Sequence, residues 1–190
     1  MDINLYLKSV LPSISETTIE SFKSITTLKS FKKGDIILEA GKISPVIYII
    51  NNGLIASFIR NEDGSDFIRT FYKKYDEVAS LKSLISNQNS TACYKCLIDS
   101  DVYELNFMDF MEQSSINNEF DKFHIKVLQK VYLNSEKRIS ELSSLNATQR
   151  YMELKKDIPN IDNLLPQYQI ANYLNVTPVQ LSRIRKKIFS

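Results

Sequence analysis

Arg183, Lys186 and Lys187 stand close together near the end of the chain, just after Val179, Gln180 and Ser182. One guanidinium, two ammonium groups, an amide, a hydroxyl and a branched apolar side chain are the groups that read base edges and neutralise phosphates. On a helix turning about 100° per residue, Leu181, Ile184 and Ile188 share one side, and Val179, Arg183 and Lys186 lie opposite. Gln180, Ser182 and Lys187 flank that strip, while Pro178 and Arg185 sit nearer the apolar edge. Arg183 suits guanine O6 and N7, Gln180 an adenine edge or a phosphate, and Val179 a thymine methyl. Lys186 and Lys187 suit phosphates, which supply affinity without sequence information. The candidate DNA-facing set is Gln169, Thr177, Val179, Gln180, Ser182, Arg183, Lys186 and Lys187. Charge is placed accordingly: residues 163–190 carry +4 and no acid, on a chain whose total is +2. A solvated basic helix would show the same cations, so the frame around the strip decides.

That frame is complete. A first helix is expected over Gln167 to Leu174, with the small Ala171 allowing a close helix crossing. Asn175 falls at the turn, where a left-handed backbone is needed. Thr177 is a good N-cap, and Pro178 suits the first helical position. Ile170, Leu174, Val176, Leu181 and Ile184 supply the core between the helices. This is the pattern of a helix-turn-helix.

Other chemistries find no support. There is no GxSxG, P-loop, HExxH or usefully spaced carboxylate pair, so no enzymatic activity is expected. Cys93 and Cys96 are the only cysteines, which rules out a disulfide framework and suits a reducing cytoplasm. Three apart on an expected strand, they face opposite sides and read as packing residues. His124 is the only histidine and lies in a long helical stretch, so no metal, haem or other cofactor is expected. No apolar run reaches membrane-spanning length, and the N-terminus does not read as a secretory signal.

The elements that must position the strip change character along the chain. All four glycines, Gly34, Gly41, Gly53 and Gly64, precede residue 65. They punctuate β-rich segments at Ile36–Leu38, Val46–Ile50, Leu54–Ile59 and Phe67–Tyr72. Asn52-Gly53 and Asp63-Gly64 are hairpin signals. A further strand pair is expected at Ser90–Ile98 and Val102–Leu105. After Leu105 the pattern turns helical: FMDFMEQ is a short helix, and Ile116 to about Leu145 carries neither Pro nor Gly. At ~1.5 Å per residue that helix is roughly 40 Å long. Phe120, Phe123, Val127 and Val131 form one apolar stripe; Ile125, Leu128, Tyr132, Ile139 and Leu142 form a second. One can pack on the β domain and the other on a second copy of the same helix, the alternative being that both are buried in one monomer. The expected fold is α+β: an antiparallel, jelly-roll-like β-roll over 1–112, a long dimerisation helix over 113–145, and a helix-turn-helix over 146–190.

These motifs resemble those of the Crp/Fnr family of transcription regulators. SLNATQRYMEL followed by LPQYQIANYLNVTPVQLSRIRKK is similar to the Bacteroidetes-type subgroup; FKKGDIILEAGK and YIINNGLIASF resemble the opening of the family's cyclic-nucleotide-binding-like β-roll. The resemblance spans nearly the whole chain. It implies a homodimer joined through the long helix, acting on pseudo-palindromic double-stranded DNA with half-sites about one helical turn apart. RNA polymerase and a small effector are further partners it leaves open.

Three departures qualify it. Members that bind cyclic AMP carry Gly-Glu-Leu-Ala, then Arg-Ser/Thr-Ala; the Glu holds the ribose and the Arg the phosphate. Here the stretch reads VASLKSLISNQNSTACYKC, which places Ser80 at the Gly, Leu81 at the Glu, Ser90 at the Arg and Thr91 beside it. Both charged anchors are missing, and neither Lys82 nor Lys95 replaces a bidentate fork. Ser80, Leu81, Lys82, Ser90 and Thr91 are therefore a degenerate ligand-pocket set, and no response to cyclic AMP is expected. Iron–sulfur members carry several cysteines near the N-terminus, and this chain has none there. Many relatives place a β-hairpin wing after the recognition helix; two residues follow Ile188, so a wingless helix-turn-helix is expected. Pro178 and Val179 stand where the cyclic-AMP receptor type has Arg and Glu. Only Arg183 retains its base reader, so a different target sequence is expected.

Overall fold

A computed structural model describes residues 3–60 and 66–189. The chain opens with two helices that its sequence pattern did not announce, α1 (Ile3–Val10) and α2 (Glu16–Ser24). Ser15 caps α2 by accepting from the Thr18 N–H. Phe22 of α2 stacks on Phe120 with ring centroids 4.1 Å apart and meets Phe123 edge-on at 4.8 Å.

Eight strands follow: β1 (Thr26–Phe31), β2 (Ile36–Leu38), β3 (Val46–Asn52), β4 (Ile55–Arg60), β5 (Asp66–Tyr72), β6 (Glu77–Val78), β7 (Cys93–Cys96) and β8 (Ser100–Asn106), with helix α3 (Leu81–Ser86) between β6 and β7. They pair into two antiparallel four-stranded sheets, ordered β1-β8-β3-β6 and β2-β7-β4-β5. Ile37, Ile50, Ile55, Val78, Tyr94 and Val102 fill the space between them. This is the expected β-roll, with two corrections of connectivity. Asn52-Gly53 does not close a hairpin, because β3 and β4 belong to different sheets. Gly53 instead passes the chain from one sheet to the other at φ 125°, so close to β8 that a Cβ would lie 2.1 Å from Ser100 Oγ. Similarly, β7 and β8 are not partners; they too lie in separate sheets. The β4–β5 hairpin does form, with Arg60 opposite Asp66, while its Asp63-Gly64 turn falls outside the described residues.

The C-terminal half is helical: α4 (Phe107–Ile116), α5 (Asn118–Ser144), α6 (Ala147–Asp157), α7 (Ile161–Leu164), α8 (Gln167–Tyr173) and α9 (Pro178–Phe189). Asn117 separates α4 from α5. Its N–H donates to the Gln113 carbonyl at 2.9 Å, and its side chain accepts from the Glu119 N–H at 2.9 Å. Phe120 and Phe123 bury the first stripe of α5 against the N-terminal helices. Its second stripe lies bare: Ile125, Tyr132, Ile139 and Leu142 are 54%, 69%, 68% and 40% exposed. His124 sits half-buried among the rings of Phe107 and Phe110. Burial lowers its pKa and so favours the neutral ring, partly opposed by the nearby Asp121 carboxylate. Cys96 enters the roll interior while Cys93 faces away from it, as the spacing required.

The terminal helices do not hang free of the roll. Leu54, Ala56, Ile68 and Leu97 on its outer face join Tyr151, Leu154, Ile170 and Leu181 in one buried cluster. Asn172 Oδ1 accepts from the Ile68 N–H at 2.6 Å, and Phe71 meets Tyr173 at 4.5 Å. Arg138 of α5 completes the joint. It donates to the Tyr173 carbonyl at 2.5 Å, and its guanidinium carbon lies 3.8 Å from that ring's centroid.

Candidate nucleic-acid interface

The turn between α8 and α9 is built as its residues dictate. Asn175 adopts φ 54°. The Val176 N–H reaches the Ala171 carbonyl and the Asn175 N–H the Asn172 carbonyl, both at 3.0 Å, a Schellman stop. Ala171, Ile170, Leu174 and Leu181 are fully buried where the helices cross. Thr177 caps α9: its Oγ1 accepts from the Gln180 N–H at 3.2 Å, and Gln180 Oε1 accepts from the Thr177 N–H at 2.8 Å. This reciprocal capping box occupies the Gln180 carbonyl. Bidentate pairing with adenine needs both ends of that amide, so in this conformation Gln180 is left with a donor only.

Arg185 turns away from the strip, toward the domain interior. It pairs with Asp162, which also accepts from Tyr151 Oη at 2.7 Å and Lys155 Nζ at 2.9 Å. Burial opposes the Asp162 charge, but the bonds from Tyr151 and Lys155 and the nearby Arg185 hold its carboxyl below the usual range. Burial and the same carboxylate push the Tyr151 phenol up to about 12, so it remains a donor. One acid thus fixes α6, α7 and α9 together.

Thr177, Val179, Gln180, Ser182, Arg183, Lys186 and Lys187 are exposed together on α9, while Gln169 on α8 is half-buried. Beside them is a cleft of about 510 Å³ lined by Gln180, Arg183 and Lys187 on one wall and by Asn146, Ala147, Thr148 and Gln149 on the other. The second wall is the start of α6. Asn146 and Gln149 form another reciprocal cap there, with bonds of 3.0 and 2.9 Å. A helix N-terminus offers positive potential and unpaired N–H groups, so this wall suits a phosphate next to the exposed strip of α9. Sequence reasoning missed it, although the Asn-x-x-Gln capping signature at 146–149 was its visible trace.

The ligand-pocket residues are placed differently from one another. Ser80 and Ser90 are buried, whereas Leu81, Lys82 and Thr91 are exposed. Ser80 Oγ caps α3 by accepting from the Ser83 N–H at 3.3 Å. Ser90 Oγ accepts from the Ala92 N–H at 3.2 Å and donates to the Ala92 carbonyl at 2.8 Å. Both hydroxyls hold the loop's own backbone, and the Leu81 side chain can accept nothing from a sugar.

The architecture is a β-roll joined through a long helix to a helix-turn-helix. Residues 28–116 match the family described as cyclic nucleotide-binding domain. The chain is 22% identical over 139 residues to the cAMP-activated global transcriptional regulator CRP of Pasteurella multocida, covering 73% of this chain and 66% of that protein. The match to CRP of Escherichia coli is 20% over 137 residues, covering 72% and 65%. Both span just under two thirds of those relatives. Among solved structures, the c-di-GMP-responsive global regulator CLP of Xanthomonas campestris superposes with a TM-score of 0.71 at 14% identity, covering 92% of this chain and 91% of that one. FixK2 of Bradyrhizobium japonicum gives 0.70 at 17% identity, covering 86% and 84%. Among the described residues, no helix is long and apolar enough to cross a membrane and no cluster of His, Cys, Asp and Glu could hold a metal ion.

Proposed function

We propose that this protein is a cytoplasmic, non-enzymatic transcription regulator that binds a pseudo-palindromic DNA site as a homodimer. The observation that carries the reading is the capped, exposed strip of α9 facing the N-terminus of α6 across one cleft. Arg183 reads a base edge, Val179 supplies an apolar contact, and Lys186, Lys187 and Thr148 meet phosphates. The bare stripe of α5 is the dimer seam: Ile125, Tyr132 and Ile139 repeat at the heptad interval. Cyclic AMP is not its signal, because the ribose acceptor and the phosphate guanidinium are both replaced at Leu81 and Ser90. A different small effector bound by the roll is the second reading, favoured by the seating of the DNA-binding helices on the roll's outer face.

Selection of bound duplexes from a random pool, followed by fluorescence anisotropy at fixed salt, tests the first reading. A pseudo-palindrome with half-sites about one helical turn apart is expected. Failure to enrich any sequence refutes it. A saturable melting shift with cyclic AMP refutes the reading of the loop.

A further inference from the structure

Strand β5 contains one residue too many. Ser57 of β4 faces Thr70 and Phe58 faces Ile68, so Arg69 has no partner in the ladder. A bulge of this kind re-aims its side chain. Arg69 directs its guanidinium to the roll's inner face, where Nη2 lies 3.3 Å from Tyr94 Oη. Tyr94 is buried and donates to the Ala79 carbonyl at 3.0 Å, immediately before the loop that begins at Ser80. Tyr72 lies 6.0 Å from Tyr94, ring to ring. Ser57 of β4 is the direct ladder partner of Tyr94 on β7 and shares its face. The Ser57 side chain is 0% exposed, and its Oγ has no hydrogen-bond partner. A buried hydroxyl left unmatched is unfavourable unless something else supplies a partner.

The charge pattern points the same way. Arg69 is exposed, and the ionisable groups facing it are the phenols of Tyr72 and Tyr94 rather than a carboxylate. Among the described residues no carboxylate pairs with this guanidinium, which leaves a two-pronged donor for an oxyanion, and phenols and a serine add further donors around it. The guanidinium missing from position 90 of the loop is thus present from a different strand.

The outer side of the same bulge holds the DNA-binding helices. Ile68, one residue before Arg69, gives its N–H to Asn172 of α8 at 2.6 Å, and Phe71 packs on Tyr173. One peptide link in the bulge therefore joins a residue aimed into the roll to a residue bonded to the helix-turn-helix. We propose that Arg69, with Tyr72, Tyr94 and Ser57, receives a small oxyanion ligand, a phosphate ester or a carboxylate, and that the β5 bulge relays its occupancy to the helix-turn-helix through Asn172. The relay rests on the DNA-binding reading above; the oxyanion site does not. A ligand that draws the Arg69 fork away from Tyr94 changes the local backbone that presents the Ile68 N–H, and so favours one seating of α8 over another. Such coupling is reciprocal: DNA must alter the anion's affinity by the same factor as the anion alters DNA's.

The test uses the full chain at constant ionic strength, with inorganic phosphate and succinate as separate probes. Melting temperature and calorimetric titration report binding. Fluorescence anisotropy on the selected duplex reports coupling. One probe should give a saturable stabilisation in the parent, and its identity distinguishes a phosphate from a carboxylate ligand. R69Q should lose that response, and R69K, which keeps the charge without the fork, should weaken it. Because phosphate also stabilises proteins by exclusion from their surfaces, R69Q sets the baseline. The same saturable response in R69Q, or none with either probe in the parent, overturns the site. In the parent, the anion should change DNA affinity about fivefold or more. N172A should bind the anion as the parent does while losing that change; unaltered coupling in N172A overturns the relay. A protein that binds the anion through Arg69 but no DNA would leave the site standing and remove the regulator reading instead.

Discussion

Replacing Ile139 by Ala should weaken the proposed homodimer while leaving each protomer folded. Ile139 is 68% exposed in the single chain, so its truncation opens no cavity in the monomer. Fully burying an Ile side chain contributes about 1.5–3 kcal/mol, so covering the exposed two thirds contributes about 1–2 kcal/mol. In the proposed homodimer the seam is two-fold symmetric, so each substitution appears twice. The dimer should lose about 2–4 kcal/mol, a dissociation constant raised roughly 30- to 1000-fold. Sedimentation equilibrium over a range of concentrations measures this directly, and the melting temperature of the dilute monomer serves as the control for folding. An unchanged dissociation constant would show that α5 pairs through another face. A parent that remains monomeric at high concentration would remove the seam altogether.

Four further outcomes follow from the same geometry. Arg183→Ala should weaken binding to the selected site by about 1–3 kcal/mol and relax preference at one base pair per half-site; anisotropy against single-base variants checks both. Lys187→Ala should weaken all duplexes alike and lower the slope of log affinity against log salt by about one per protomer. Gly53→Ala should destabilise the roll by more than about 2 kcal/mol in chemical denaturation, because a left-handed backbone and contact with Ser100 combine. Asp162→Asn should lower the melting temperature at neutral pH. The Asp162 pKa is depressed in the folded state, so its contribution is present above the unfolded carboxyl value of about 3.9 and fades as pH falls through the folded value. Parent and variant should therefore converge in acid, which calorimetry at several pH values reads out.

Sequence reasoning reached local features well and long-range ones poorly, for physical reasons. Asn175, Thr177 and Pro178 declare the helix-turn-helix because turn and cap chemistry depends on neighbours a few residues away. The long helix was legible from its missing Gly and Pro and its two stripes. Strand positions were legible from alternation, but sheet membership was not. Asn52-Gly53 carries a hairpin's local signal, and only contact with Ser100, far along the chain, makes it a crossing between sheets. The helices α1 and α2 escaped notice because their stability comes from packing on Phe120 and Phe123 rather than from length. At the interface, the faces of α9 followed from angle alone. The engagement of Gln180 in its own cap and the placing of Thr148 across a cleft from Arg183 depend on how side chains and helices meet in space. Nothing in the sequence singles out Arg69, since a bulge leaves no mark in the residue types around it.

The shared cluster beneath α8 has a consequence for how such a protein can be taken apart. Ile68, Leu54 and Leu97 lie on the outside of the roll yet are buried only because Ile170, Leu181 and their neighbours cover them. Severed from its terminal helices, the roll would present a greasy flank and tend to aggregate. Heating should melt both halves in one step. Grafting this roll onto a different output module would require repainting that flank with polar residues.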